Sequence, residues 1–164
     1  MKNQDKTTAM PGKKSLPEIN EHEGRKDFSF SFESSKSPKV IFETLLDIKA
    51  WWSGIYSEKI EGASSKLNDE FTFHAGNGAH YTKQRLIELV PDKKIVWLVT
   101  ESNLSFVKKT GEWTNTKICF EISKKGDSTQ VSFTHLGLVP QFECYGGCSS
   151  GWTQYLEILS EKLK

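Results

Sequence analysis

Between Thr134 and Trp152 the chain reads THLGLVPQFECYGGCSSGW. The segment holds one histidine, two cysteines four residues apart, a Gly-Gly pair and a tryptophan. Before it, TQVSFTHLGL (129–138) alternates apolar and polar residues, the pattern of a strand with one covered face. After it, WTQYLEILSEKLK (152–164) places Trp152, Tyr155, Leu156, Leu159 and Leu163 on one helical stripe. The segment is therefore expected to be the corner where a strand turns into the last helix. Its histidine and cysteines raise two other readings, a metal site and a catalytic pocket.

Working outward, FSFSFES (Phe28–Ser34) alternates strictly and predicts a strand. SPKVIFETLLDIKAWW (37–52) predicts short helices, with Ser37 as a cap and Pro38 at the first helical position. Val40, Ile41, Leu45 and Ile48 fall on one helical face there, and Trp51-Trp52 close the second helix. EFTFHAG, AHYTKQRLIELV, IVWLVTES, EWTNTKICFEIS and TQVSFTHLGL predict further strands, joined by turn signals at Gly-Asn-Gly, PDKK and KKGD. On this reading Trp97 and Trp113 lie on strands and Trp152 on the last helix. A run of antiparallel strands with one apolar face needs a cover, and the terminal helix supplies it. If the sheet curves around that helix, a cavity between the two is expected.

Composition bounds the function. The chain has 164 residues, enough for one domain with a real core. Its 22 Lys and Arg against 21 Asp and Glu leave a net charge of +1, which argues against nucleic acid as a partner. Residues 1 to 26 are polar and are expected to form a flexible tail ahead of a domain over 27–164. No apolar run reads as a secretory signal or a membrane span, so no membrane partner is expected. Three Cys in such a chain point to a reducing cytoplasm. Five Trp, ten Phe and four Tyr fit both a large core and an apolar pocket.

His135 shares a strand face with Val131 and Phe133; if that face looks inward, it points toward the last helix at one end of the cavity. It reads either as a polar anchor or general base for a ligand, or as a buried histidine bonded at the corner. With Cys144 and Cys148 it offers three soft ligands, but structural zinc takes four and the cysteines are good packing residues, so no metal is assigned. No nucleophile, base and acid set is legible, so no catalytic residue is assigned either, and no cofactor. The glycines at 146 and 147 are expected to weaken the start of the last helix beside the cavity. Glu88, Glu101 and Glu112 read as solvent-facing acids paired with nearby Lys. The expected ligand-binding set is Trp52, Trp97, Phe133, His135, Tyr145, Trp152 and Tyr155.

SPKVIFETLLDIKAWW, NDEFTF (Asn68–Phe73), IELVPDKKIVWLV, EWTNTKICFEI, FTHLGL and GWTQYLEIL follow one another in an order that resembles the START-like, or SRPBCC, superfamily. Within it, the chain resembles most the family of activators of the heat-shock protein 90 ATPase, from Phe28 to Leu163. Asn68 departs from the pattern, because the family often has Gly before the Asp. The resemblance implies an α+β helix-grip fold: a curved antiparallel sheet wrapped around a long C-terminal helix, with two short helices after the first strand. Fold alone does not fix activity. Three functions follow as expectations: a binder of a small apolar molecule in the sheet–helix cavity, a chaperone-regulating or other protein-interaction module, and a cyclase- or hydrolase-like enzyme using His135. The first is the reading carried forward.

Overall fold

The computed structural model describes residues 26–164. The expected tail, residues 1–26, lies outside the described residues except for Lys26. Among the described residues, seven strands form one antiparallel sheet. They are β1 (Phe28–Ser34), β2 (Lys59–Gly62), β3 (Glu70–Ala75), β4 (His80–Val90), β5 (Lys94–Leu104), β6 (Lys117–Lys125) and β7 (Ser128–Leu136). Their order across the sheet is β1-β7-β6-β5-β4-β3-β2. The helices are α1 (Pro38–Leu46), α2 (Ile48–Trp51) and α3 (Tyr145–Lys162). This is the α+β helix-grip arrangement: the sheet curves and α3 lies on its inner face.

The period-two pattern explains the sheet. β7 buries Thr129, Val131, Phe133 and His135 and turns the residues between them outward. Pairing aligns the inner faces in rows. Phe30, Phe133, Phe120 and Ile95 form one row, and Phe28, His135, Ile118, Trp97 and Leu86 the next. Register shifts between Lys83 and Gln84 and between Leu86 and Glu88 bend the sheet along β4 and β5. Trp97 thus faces inward, fully buried, and its indole N–H donates to Ser64 Oγ at 2.8 Å.

α1 starts as its sequence dictates, with Ser37 Oγ accepting from the Val40 N–H at 3.2 Å and Pro38 in the first turn. Its buried face differs from the expected one. Ile41, Phe42 and Leu45 are buried, whereas Val40 is 44% exposed. Turning the ring of Phe42 inward removes more apolar surface from water than turning Val40 would. α3 buries Trp152, Tyr155, Leu156 and Leu159, and Leu163 at its C-cap is buried as well.

Two further details differ from the sequence reading. β6 begins only at Lys117, so Trp113 lies in the connection after β5 and not on a strand. That connection is a series of turns: the Thr114 N–H donates to the Gly111 carbonyl at 3.0 Å and the Thr116 N–H to the Trp113 carbonyl at 3.0 Å. Asn115 there has φ 74°, a left-handed conformation that asparagine tolerates better than most residues. Asn68, where the family pattern has Gly, likewise has φ 75°, which accounts for the position. No helix among the described residues is long and apolar enough to cross a membrane.

Candidate functional site

The strand-to-helix corner is organised around His135, which is wholly buried. The Trp152 indole N–H donates to His135 Nδ1 at 3.0 Å. An indole can only donate, so Nδ1 is an acceptor and the neutral ring carries its proton on Nε2. Nε2–H then donates to Thr116 Oγ1 at 2.8 Å, and the Thr116 hydroxyl donates to the Trp113 carbonyl at 2.6 Å. Burial, reinforced by the nearby His80, pushes His135 down to about 3, which keeps it neutral. Both ring nitrogens are committed, so His135 has neither a nitrogen for a metal nor a lone pair for a proton. The chain leaves this corner through Gly137, at φ 100°, where a Cβ would come within 2.8 Å of Thr116 Cγ2.

Beside the corner is a cavity of about 260 Å³. One wall is α3, through Gly147, Cys148, Gly151, Trp152 and Tyr155. Opposite stand Trp52, Tyr56, Phe73, His80, Phe106 and Trp113, with Ala75, Gly76 and Ala79 of the β3–β4 turn region. α3 presents no side chain to this space at Gly151, which is half-buried, nor at Gly147, which is exposed at its edge. A Cβ built at Gly147 or at Gly151 meets nothing within 4 Å.

The floor is a ladder of rings. Trp113 lies parallel to Trp152 at 5.9 Å, Trp152 is 4.8 Å from Trp52, and Trp52 stacks on Phe73 at 4.3 Å. His80 stands edge-on to Phe73 and Trp113 and lies parallel to Phe106. Phe106 is 51% exposed and Tyr56 41%, which places both at the mouth.

The loop after α2 is held against α3 by one carboxylate. Glu58 accepts from the backbone N–H groups of Gly54 at 2.7 Å, Ile55 at 3.2 Å and Tyr56 at 2.8 Å, and from the Tyr155 hydroxyl. Burial alone would raise the Glu58 carboxyl, but the Tyr155 hydroxyl and the backbone donors hold it below the usual range. Burial and the Glu58 carboxylate push the Tyr155 phenol up. Tyr56 Oη accepts from the Gln154 amide. The start of α3 is also held by a carboxylate: Glu112 accepts from the N–H groups of Glu143 at 2.8 Å and Cys144 at 3.2 Å. Glu112 is thus a helix-end acceptor and not the lysine partner expected of it. Glu88 does pair with Lys94, at 3.4 Å, while Glu101 accepts from the Tyr81 hydroxyl at 3.0 Å.

Among the described residues, two wall groups have no such partner, His80 and the indole Nε1 of Trp113. His80 lines the cavity, and its buried Nε2 makes no hydrogen bond with any described residue. Burial pushes His80 down to about 4, so the ring is uncharged at neutral pH. Its strand continues the theme: Thr82 and Gln84 are fully buried on the inner face of β4, and Thr82 Oγ1 and both Gln84 amide atoms are unpartnered. Each such buried group costs about 1–3 kcal/mol. Among the described residues, no Lys, Arg, Asp or Glu lines the cavity.

Of the residues expected from sequence, the structure brings Trp52, Trp152 and Tyr155 together on the cavity wall. Trp97 and Phe133 lie in the packed core, His135 sits behind Trp152, and Tyr145 packs against the core at the start of α3. Tyr56, Phe73, His80, Phe106, Trp113 and Gly151 are wall residues that sequence reasoning missed. The Cys144 thiol is pushed up by hydrogen bonding to Cys148 and by burial, and Cys119 by burial to about 11, so neither is a ready nucleophile. Among the described residues, no three His, Cys, Asp or Glu side chains are grouped so as to hold a metal.

A family described as "Activator of Hsp90 ATPase homolog 1-like protein" matches residues 35–164, well over half of the chain. No curated protein matches in sequence. Solved structures share the fold. The Aha1 dimer from Colwellia psychrerythraea is 20% identical with a TM-score of 0.65, covering 84% of this chain and 95% of that one. Protein MLL2253 from Mesorhizobium loti is 18% identical with a TM-score of 0.62, covering 82% and 95%. CalU16 from Micromonospora echinospora is 12% identical with a TM-score of 0.55, covering 83% and 74%. At such identities the likeness carries the fold alone.

Proposed function

This chain belongs to the family of activator of Hsp90 ATPase homolog 1-like proteins, and from that premise we propose that it binds a small, mainly apolar molecule in the cavity between α3 and the sheet. The observation that carries the reading is the pair of glycines, Gly147 and Gly151, on the cavity-facing side of α3. Glycine inside a helix costs about 1 kcal/mol relative to alanine. Gly151, in the interior of α3, thus keeps space open at the expense of stability, as a binding site requires, and Gly147 leaves the edge of the cavity clear in the first turn. The walls add aromatic surface without charge, the usual character of a small-molecule pocket. At about 260 Å³ the space suits a molecule of one or two rings.

The family's description favours a second reading, a protein-interaction module. The exposed large apolar side chains bear on it. Tyr56 and Phe106 flank the cavity mouth, while Val40 is on α1, Leu67 between β2 and β3, Val90 at the end of β4 and Ile158 on α3. Their distribution over separate elements favours the cavity over a docking face.

Amide and indole chemical-shift mapping with a panel of one- and two-ring aromatics tests the proposal. Shifts are expected at the Gly147 and Gly151 amides and at the Trp113 and Trp152 indoles. Shifts confined to the outer face of the sheet, or none with any member of the panel, would overturn it.

A further inference from the structure

We propose that His80 is the specificity determinant of the cavity, selecting flat aromatic molecules that carry an uncharged hydroxyl over purely apolar ones and over carboxylates. This rests on the ligand-binding reading above and deepens it. Most polar atoms near the wall already have protein partners. The Trp152 indole N–H is spent on His135, the Tyr155 hydroxyl on Glu58, and the Tyr56 oxygen accepts from Gln154. Two buried wall nitrogens are left without a partner among the described residues, His80 Nε2 and Trp113 Nε1; an indole can only donate, so His80 is the one that can also accept.

The chemistry of that ring sets the class of ligand. A neutral imidazole offers one donor and one acceptor, and a hydroxyl, which both donates and accepts, satisfies it in either tautomer. A carboxylate would enter a chamber with no Lys or Arg of the described residues on its wall and with the Glu58 carboxylate bonded to the Tyr155 hydroxyl. An ammonium group would find no free carboxylate, since Glu58 is taken up by Tyr155 and three backbone N–H groups. The rings of Trp52, Phe73, Trp113 and Trp152 supply flat apolar surface for the remainder of the molecule.

Three probes of one shape separate these effects: naphthol, methylnaphthalene and naphthoate, titrated near neutral pH and followed by chemical shifts. The wild-type protein is expected to bind naphthol about threefold to tenfold more tightly than methylnaphthalene, the range of one net hydrogen bond. Naphthoate should bind most weakly. His80→Phe should reduce the naphthol preference to what the Trp113 indole N–H alone supplies, at least about twofold below the wild-type ratio. His80→Gln, which restores a donor and an acceptor, should recover part of the naphthol preference. Equal wild-type affinity for naphthol and methylnaphthalene, a comparison that needs no variant, would overturn the role of His80 and leave the binding reading standing. So would an undiminished preference in His80→Phe. If none of the three binds to the wild-type protein, the binding reading itself falls.

Discussion

Replacing Gly151 with leucine should make the protein more stable and at the same time close its site. Gly151 lies in the interior of α3, has no positive φ, and would present a Cβ to open space, with no atom within 4 Å. Leucine recovers the helix propensity that glycine forfeits, about 0.5–1 kcal/mol. Its four side-chain carbons enter a cavity of about 260 Å³ lined by Trp52, Phe73, Trp113 and Trp152, and so gain some burial. Full burial of a leucine side chain is worth about 1.5–3 kcal/mol, of which a partly open chamber returns a fraction after the loss of rotamer freedom. The net expectation is a gain of about 1–2 kcal/mol, or a rise in Tm of about 2–6 °C for a domain of this size. Urea denaturation of wild type and variant measures the first effect. The affinity of an aromatic probe, measured on the same samples, reports the second and should fall at least about tenfold, or 1.4 kcal/mol. A variant destabilised by more than about 1 kcal/mol would show that side chains already fill the space. A variant with unchanged probe affinity would show that binding occurs elsewhere.

Acid should unfold the protein earlier than its carboxylates alone would require. Burial lowers His80 to about 4 and His135 to about 3, whereas both titrate normally in the unfolded chain. As pH falls below about 6.5, the unfolded state takes up protons that the folded state refuses, so stability falls by up to about 1.4 kcal/mol per pH unit for each histidine. Urea midpoints measured from neutral pH to about pH 5 should show this slope, and His80→Phe should lose about half of it; a flat profile would contradict the neutral, buried assignment of both rings. Replacing Gln84 with methionine should stabilise the fold by about 1–3 kcal/mol, because it removes two unpartnered polar atoms from a fully buried position at similar volume. A loss of stability in that variant's urea unfolding would mean that Gln84 is hydrogen-bonded in solution.

The frame was legible because its elements carry strong periods. FSFSFES reads as a strand and is one, and the stripe of Trp152, Tyr155, Leu156, Leu159 and Leu163 is the buried face of the last helix. Ser37 and Pro38 mark the start of α1 by local chemistry that tertiary packing does not override. What was lost depends on three-dimensional context. EWTNTK carries strand-like residues, yet turn bonds and the left-handed Asn115 keep it off the sheet and let Trp113 reach the cavity. His80 sits in a strand where polar residues occupy both faces, so alternation gives no sign that its ring lines a chamber. Gly146 and Gly147 read as helix weakeners, and only the packing around α3 shows that the missing side chain of Gly151 leaves space. His135 was read as inward-facing only on the condition that its strand face is, and its two partners, Thr116 and Trp152, are 19 and 17 residues away and follow no local spacing.

The most direct test of the binding reading is native mass spectrometry of the protein purified from its own host, beside the Gly151→Leu variant prepared the same way. The account predicts a co-purifying small molecule on the wild type, uncharged and aromatic with a hydroxyl group, and its loss from Gly151→Leu while the variant remains folded. A wild-type protein that carries nothing, or an adduct that persists in the variant, would contradict it.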